Sequence, residues 1–208
     1  SLHSTPATHD NNATFKTKPS VSCLVHSSWH HGASRVTLSP SCFCVNPPSL
    51  LWNPMSEKEI AFRAITADDM DFLRRVYADT RAHEMAIVPW TDDQKAAFLR
   101  QQFDAQHAYY QETCPAARYE LILSDGQAIG RLYQDWRDDE LRIIDIALLS
   151  EHRGQGIGGK IMRDLIDQAA AEGKKVTIHV EMNNPAMHLY DRLGFQKIEE
   201  QGVYWLME

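Results

Sequence analysis

The sequence contains the stretch Arg153-Gly154-Gln155-Gly156-Ile157-Gly158, and one further glycine, Gly159, follows it directly. The apolar residues before this stretch form a β pattern, whereas those after it recur at helical spacing, so the glycines lie in a turn from a strand to a helix. Glycine accepts positive φ angles and lets a ligand approach the backbone closely. Because free N–H groups at the start of a helix attract anions, this turn is suited to hold a diphosphate.

Three other interpretations of the turn fit the sequence less well. A Walker A loop needs Ser or Thr after its Gly-Lys pair, where this sequence has Ile161. A dinucleotide-binding pattern is present at Gly154, Gly156 and Gly159, and Glu181 lies near the position of the acid that binds the ribose. This pattern would indicate a nicotinamide-dependent oxidoreductase. That pattern normally opens a repeated βαβ array, but here it follows an antiparallel meander. A turn that binds no ligand needs only one or two glycines.

Residues 1–54 differ in composition from the rest of the chain. They contain ten Ser, five His and a single acid, Asp10, and they show no sustained apolar period. Such a segment is not expected to form a core. The composition changes at Met55, so we expect a folded domain over residues 55–208, preceded by a disordered segment or an upstream extension. An organellar transit peptide has the same Ser-rich, acid-poor character.

Composition and charge argue against several classes of function. Without the three basic residues and one acid of residues 1–54, the totals of 21 and 28 become 18 and 27, a formal charge of −9. This charge argues against a nucleic-acid partner and slightly favours a cationic acceptor. No apolar run reaches the roughly 20 residues of a membrane span, and the few cysteines indicate a reducing cytoplasm. Four candidate zinc ligands match no zinc-finger spacing, so no metal is expected: His30, His31, Cys42 and Cys44.

The apolar pattern of residues 55–208 predicts the order β α α β β β α β α β β. The predicted strands are residues 60–65, 119–123, 128–136, 141–149, 176–181, 195–198 and 203–207. The predicted helices are a first ending near Thr80, a second capped by Thr91, a third from the glycine turn to Gly173, and a short one at residues 185–193. We therefore expect a mixed α/β (α+β) fold with a central, mostly antiparallel sheet of about seven strands and helices on both faces.

The glycine turn resembles the acyl-CoA binding motif Arg/Gln-x-x-Gly-x-Gly/Ala of the GNAT superfamily of N-acetyltransferases. Residues 146–148 lie at the spacing where this family brings a splayed, bulged strand to the pantetheine arm. Residues 179–195 resemble a second family motif, Asn-x-x-Ala-x-x-Leu-Tyr-x-x-x-Gly-Phe, although five residues rather than six separate Asn184 from Tyr190. The resemblance covers essentially all of residues 55–208.

This resemblance implies transfer of the acetyl group of acetyl-CoA to a primary amine, by direct attack in a ternary complex. Tyr190 resembles the family's general acid, which protonates the departing thiolate, and backbone N–H groups around Leu148 resemble its carbonyl-polarising donors. Helical spacing alone favours Tyr190 as a core residue, and the family pattern around it reverses that preference to a hydroxyl on the cofactor side. The positions implied for the cofactor are Ile146, Ala147, Leu148, Arg153, Gly154, Gln155, Gly156, Ile157, Gly158 and Asn184, with Asn183 as the alternative to Asn184.

The general base is not settled by the sequence. Glu181 is the first choice because it ends a strand beside the expected acceptor cleft, and Glu84, Glu140 and His179 are alternatives. Each of these residues is also explained as a surface charge or a strand histidine. Three aromatic residues are candidates for the acceptor pocket: Trp90, Tyr133 and Trp136.

The acceptor is expected to be a small-molecule or peptide amine, and the family resemblance makes a homodimer possible. The alternative function is a non-catalytic acyl-CoA binding or sensing module on the same fold. Such a module would keep the glycine turn but would need neither Tyr190 nor a base, so the presence of Tyr190 favours the enzyme.

Overall fold

The computed structural model describes residues 58–208, so the predicted boundary at Met55 and the candidate zinc ligands lie outside the described residues. The strands are β1 Ile60–Ala64, β2 Arg118–Ser124, β3 Gln127–Trp136, β4 Glu140–Leu148, β5 Lys175–Glu181, β6 Lys197–Gln201 and β7 Tyr204–Met207. The helices are α1 Met70–Thr80, α2 Ala82–Ala86, α3 Asp92–Thr113, α4 Ile157–Ala171 and α5 Met187–Leu193. The predicted order is confirmed, and the short helix α2 is an addition to it.

The seven described strands form one sheet in the order β1-β2-β3-β4-β5-β7-β6. Strands β1 to β4 pair antiparallel, each with the next. Strands β2, β3 and β4 form a meander with short connections, whereas helices α1 to α3 lie between β1 and β2. Strands β4 and β5 pair in parallel through the crossover helix α4, and β7 and β6 complete the sheet with antiparallel pairing. The predicted fold class, a mixed and mostly antiparallel sheet, is therefore confirmed.

The two parallel strands separate partway along their length. Strand β4 pairs with β5 from Glu140, opposite Lys175, to Ile143, opposite Ile178. Beyond that point β4 pairs with β3 and β5 pairs with β7. Ile144 is an extra residue in β4, because Tyr133 and Gln134 of β3 face Asp145 and Ile143, and such a bulge bends a strand. The sheet consequently has an opening at the carboxyl ends of β4 and β5, which we call the β4–β5 opening.

Helices cover both faces of the sheet, as predicted. Along β4, Ile146 and Leu148 pack into the core that includes α4 and α5. Ala147 points the opposite way and packs against Val76 of α1, as the period of two in a strand requires. Helix α3 contributes Phe103 to the α1 side of the sheet. Each face of the sheet therefore has its own core, and the β4–β5 opening lies between them.

The ends of the elements show which local signals were correct. The hydroxyl of Thr91 accepts a hydrogen bond from the N–H of Gln94, and the side chain of Gln94 accepts one from the N–H of Thr91, so the predicted cap of α3 is confirmed. The last two strands begin later than predicted. The N–H of Phe195 donates to the carbonyl of Tyr190 at 3.1 Å, so Phe195 closes helix α5 and β6 starts only at Lys197.

Gly130 lies where β3 passes close to the end of β4. A Cβ atom at this position would lie 2.2 Å from the carbonyl oxygen of Ala147 and 2.9 Å from Leu148. Because the nearest of these atoms belongs to the backbone, Gly130→Ala requires a shift of the strands. We expect it to cost about 1–3 kcal/mol, which for a domain of this size lowers Tm by roughly 3–10 °C.

Thermal unfolding followed by circular dichroism measures this effect. Gly159→Ala is the matched control, because its added Cβ would meet neighbouring side chains at an ordinary 3.5 Å. An unchanged Tm for Gly130→Ala would show that the two strands separate without cost.

Candidate active site

The glycine turn lies at the β4–β5 opening, directly after β4, and it needs glycine for its backbone shape. Gly154 has φ 74° and Gly156, the N-cap of α4, has φ 81°; side chains other than glycine rarely adopt these angles. Apart from its chain neighbours, no atom of the described residues lies within 4 Å of the place where a Cβ on Gly156 would stand. The start of α4 therefore presents bare backbone to open space.

The end of β4 directs a backbone donor into the opening. The N–H of Leu149 donates to the carbonyl of Ile129 in β3 at 2.9 Å. Because successive backbone groups of a strand point to opposite sides, the N–H of Leu148 is directed toward β5. Arg153 holds this strand end in place, since its Nε donates to the carbonyl oxygen of Leu148 at 2.7 Å.

The side chains of the turn hold its shape and do not extend into the opening. The guanidinium of Arg153 forms an ion pair with Asp79 of α1. Burial lowers the pKa of Arg153, although the charge of Asp79 opposes that shift. The amide of Gln155 donates to the carbonyl of Glu151 at 2.7 Å and accepts from Lys58 at 2.9 Å. The groups of the turn that remain open toward the opening are therefore its backbone N–H groups, and the cofactor role of these residues stays a prediction.

Asp79 is a residue that sequence analysis missed. One of its oxygens accepts from the backbone N–H of Ser150 at 3.0 Å and also pairs with Arg153, while the other accepts from the Ser150 hydroxyl at 2.8 Å. Helix α1 thereby holds both ends of the segment between β4 and the glycine turn. No local pattern indicates this role, because Asp79 lies 71 to 74 positions before its partners.

Asn184 and Tyr190 lie on the β5 side of the opening. The Oδ1 atom of Asn184 accepts from the N–H of Ala186 at 2.8 Å, so Asn184 caps the turn that leads into α5. Helix α5 itself begins at Met187, two residues later than predicted. The Nδ2 atom of Asn184 is buried and has no hydrogen-bond partner among the described residues. Asn183, by contrast, is exposed and lines a different space.

Tyr190 is buried in the core beneath the same opening. Its side chain is 1% exposed, and its ring packs edge-on against Phe195 at 5.7 Å between centroids. It belongs to the apolar cluster that includes Ile146 and Leu148 of β4. The ring therefore has a packing role, and the role of its hydroxyl stays a prediction.

A cleft of about 830 Å³ lies on the α1 side of the opening. Helices α1, α2 and α3 form one wall, and the end of β5 with the β6–β7 turn forms the other. Both Glu84 and Glu181 line this cleft, together with Tyr77, Arg81, Phe98 and Tyr204. Of the candidate bases, these two carboxylates face the same space.

The other two candidate bases lie elsewhere. Glu140 starts β4 opposite Lys175, at the end of the sheet away from the opening. Although burial acts to raise its pKa, hydrogen bonds from Thr177, Arg142 and Arg137 hold that pKa below its ordinary value, which makes Glu140 a weak base. His179 shares a face of β5 with Glu181 but is not among the residues that line the cleft, and its Nε2 lies 3.0 Å from Oε1 of Gln201. Burial and the nearby Arg142 lower its pKa.

The three aromatic candidates are also separated by the fold. Trp90 packs edge-on against Phe98, which lines the cleft, at 5.3 Å between ring centroids, and its side chain is 43% exposed. The side chain of Tyr133 is fully buried, and this burial raises the pKa of its hydroxyl to about 12. Trp136 pairs with Leu141 at the closed end of the sheet. Only Trp90 is therefore placed to meet an acceptor.

A buried ion pair supports the floor of the cleft. Arg131 of β3 and Asp145 of β4 are joined at 2.7 Å, and both side chains are almost fully buried. The guanidinium of Arg131 also lies over the rings of Tyr77 and Phe103. Burial raises the pKa of Asp145, while the charges of Arg131 and Arg81 oppose the rise. This cluster attaches α1 and α3 to the sheet next to the bulge at Ile144.

Within residues 58–208, no group of three or more His, Cys, Asp or Glu side chains is arranged to hold a metal ion. None of the helices in that range is both long and apolar enough to cross a membrane.

The sequence profile of the acetyltransferase (GNAT) family matches residues 71–195. This match spans most of the chain, so the protein belongs to the acetyltransferase (GNAT) family, and the resemblance noted from the sequence is confirmed. The matched range includes the β4–β5 opening, the glycine turn and Tyr190.

Individual relatives are more distant. A protein of Bacillus subtilis (strain 168) named as a ribosomal protein bS18-alanine N-acetyltransferase is 26% identical over 140 residues, which are 65% of this chain and 80% of that protein. The thialysine N-epsilon-acetyltransferase of Bos taurus is 36% identical over 70 residues, 33% of this chain and 41% of that enzyme. A mycothiol acetyltransferase of Corynebacterium glutamicum (strain R) is 36% identical over 88 residues, 40% of this chain and 30% of that enzyme.

Solved structures share the fold. The PaiA N-acetyltransferase of Thermoplasma acidophilum, crystallised with coenzyme A, has a TM-score of 0.55 at 14% identity and covers 72% of this chain and 97% of its own. An acetyltransferase of Thermus thermophilus has a TM-score of 0.51 at 17% identity, covering 71% and 94% of the two chains. At these identities the likeness establishes the fold alone.

The role of Asp79 in holding the glycine turn is testable. Asp79→Ala leaves the mostly buried guanidinium of Arg153 without its carboxylate, which costs about 1–3 kcal/mol. We expect acetyl-CoA to bind roughly 10-fold more weakly, because the turn loses its attachment to α1. Calorimetric titration at a temperature well below Tm measures this affinity.

Asp68→Ala is the matched control for this variant, because Asp68 is an exposed acid just before the same helix. A lowered Tm with unchanged acetyl-CoA affinity for Asp79→Ala would show that the contact stabilises the fold without shaping the turn.

Proposed function

We propose that this protein is an acetyl-CoA dependent N-acetyltransferase that moves an acetyl group to a primary amine within a ternary complex. The observation that carries the proposal is the β4–β5 opening. It has a bare helix start on one side, a buried amide with no partner within residues 58–208 on the other, and a carboxylate-lined cleft next to it. These three features match the diphosphate, the pantetheine arm and the amine acceptor, respectively.

The residues at the opening suit the parts of acetyl-CoA, which supplies the acetyl group as a thioester. The backbone N–H groups of residues 154–158 suit the diphosphate, because a helix start favours negative charge. The backbone of residues 146–148 forms the edge along which the pantetheine arm would lie. Asn184 adds an amide donor with no partner among the described residues.

Three groups would divide the chemistry among them. The N–H of Leu148, directed into the opening, donates to the negative charge that develops on the carbonyl oxygen. Glu181, at the end of β5 and on the wall of the cleft, takes the proton from the ammonium group so that the nitrogen lone pair becomes available. Tyr190 donates its hydroxyl proton to the departing thiolate, and the second proton, which the nitrogen loses as the amide forms, restores the hydroxyl.

The relatives are consistent with this proposal, because each of the three is named for acetyl transfer. The structure determined with coenzyme A has the same fold. The alternative is an acyl-CoA binding or sensing module that carries out no transfer. It is favoured by one observation, the burial of Tyr190 in the core, which a purely structural tyrosine would also show.

Substitution of Gly156 tests the cofactor site. Gly156→Glu places a side chain and a negative charge in the open space at the helix start, so we expect acetyl-CoA binding to be abolished while the protein remains folded. Gly156→Ala is the control, since it has the same strain at φ 81° but neither the bulk nor the charge. Isothermal calorimetry with circular dichroism distinguishes them. Equal acetyl-CoA affinity for wild type and Gly156→Glu would remove the turn from the site.

Substitution of Tyr190 separates the enzyme from the binding module. Tyr190→Phe removes only the hydroxyl, so we expect the fold and cofactor affinity to persist while kcat falls by roughly 10²- to 10⁴-fold, as for a lost general acid. A purely structural hydroxyl would instead cost about 0.5–1.5 kcal/mol of stability and leave kcat unchanged. Thiol release and Tm, measured side by side on one amine, decide between these outcomes.

A further inference from the structure

We propose that the acceptor is a primary amine attached to an apolar group and carrying no nearby carboxylate. This proposal rests on the N-acetyltransferase function and concerns the chemical class of its second substrate. Two sources share this chemistry: a small aralkylamine, and the amino terminus of a peptide whose first side chain is apolar. Polyamines, aminosugars and free amino acids lie outside the class.

The walls of the acceptor cleft are largely apolar. Met85 and Leu99 contribute from the helical side, and Phe98 adds an aromatic ring to that wall. Met182 and Val203 contribute from the opposite side, after β5 and in the β6–β7 turn. Apolar walls favour an apolar group by removing it from water, and they cannot satisfy the hydroxyls of an aminosugar or the several ammonium groups of a polyamine.

The charges that face the cleft suit one isolated ammonium group. Two carboxylates, Glu84 and Glu181, line the cleft, and the cation Arg81 lies 3.4 Å from Glu84. Arg81 also faces the buried Asp145 and the ring of Tyr77, so its charge is shared with groups beneath the cleft. The excess of negative charge attracts an ammonium group and repels the carboxylate of a free amino acid.

The apolar surface continues beyond the mouth of the cleft. Trp90, packed on Phe98, is 43% exposed, Ile87 is 83% exposed, and Val203 is 58% exposed. A small amine enclosed in the cleft would leave this rim in contact with water. A peptide would cover it with its second and later side chains, so we expect the peptide to exceed the small amine in kcat/KM.

The experiment compares five acceptors that differ in side chain, in the presence of a carboxylate, in the number of ammonium groups or in chain length. They are phenylalaninamide, alaninamide, free phenylalanine, spermidine, and a tetrapeptide amide that begins with phenylalanine. Acetylation is followed by thiol release and product mass with the full chain and acetyl-CoA. We expect kcat/KM for phenylalaninamide and the peptide to exceed that for the other three by roughly 10-fold or more.

A pair of variants ties this preference to the cleft. Phe98→Ala should lower the ratio of kcat/KM for phenylalaninamide to that for alaninamide by roughly 10-fold, because it removes the ring from the wall. Phe62→Ala is the matched control: Phe62 is 42% exposed on β1 and does not line the cleft. The control should leave the ratio unchanged.

The outcomes separate this inference from the function on which it rests. If the protein fails to bind acetyl-CoA in calorimetry, the N-acetyltransferase function itself is wrong. If acetyl-CoA binds and spermidine, alaninamide or free phenylalanine is the preferred acceptor, the function stands and the acceptor class is overturned. The class is also overturned if Phe98→Ala leaves the ratio unchanged. If acetyl-CoA binds but no amine of the panel is acetylated, the non-catalytic binding module replaces the enzyme, and the acceptor class is wrong with it.

Discussion

The separation of β4 from β5 is the constraint on which the rest of the site depends. Parallel strands normally continue their hydrogen bonding along their shared length, but here pairing ends at Ile143 and Ile178. The extra residue Ile144 bends β4 at that point. Backbone groups that would otherwise bond across the sheet then become available at its carboxyl edge. The glycine turn and the segment around Asn184 follow these two strands, so both lie at the opening by connectivity alone.

Helix α1 joins the two halves of the site. Near its end, Asp79 holds the segment before the glycine turn, while Tyr77 and Arg81 line the acceptor cleft. The same helix is attached to the sheet through the buried pair of Arg131 and Asp145, which lies beneath Tyr77. A shift of α1 would therefore move residues both at the glycine turn and in the cleft. Through this arrangement Asp79, which holds the segment before the glycine turn, is linked to the same helix as two residues of the cleft.

The sequence predicted much of the fold because its local signals agree with the final structure. The capping residues of α3, the three meander strands and the glycine turn were placed within a residue or two. Predictions differed where tertiary contacts override a local pattern. Helix α2 forms in a segment for which no element was predicted, and Phe195 closes α5 although it was predicted to begin a strand. In both segments the backbone hydrogen bonds of the folded chain determine the secondary structure, and the pattern of apolar and polar side chains does not.

The sequence by itself determined the family, the order of the strands and helices, and the position of the glycine turn, because each depends on residues close together in the chain. Only the tertiary structure decided which distant residues meet. It placed Glu84 and Glu181 on one cleft, moved Glu140 to the opposite end of the sheet, and brought Asp79 to Ser150 and Arg153. The physical reason is that strand register and helix packing set these distances, and neither depends on the spacing of the residues along the chain.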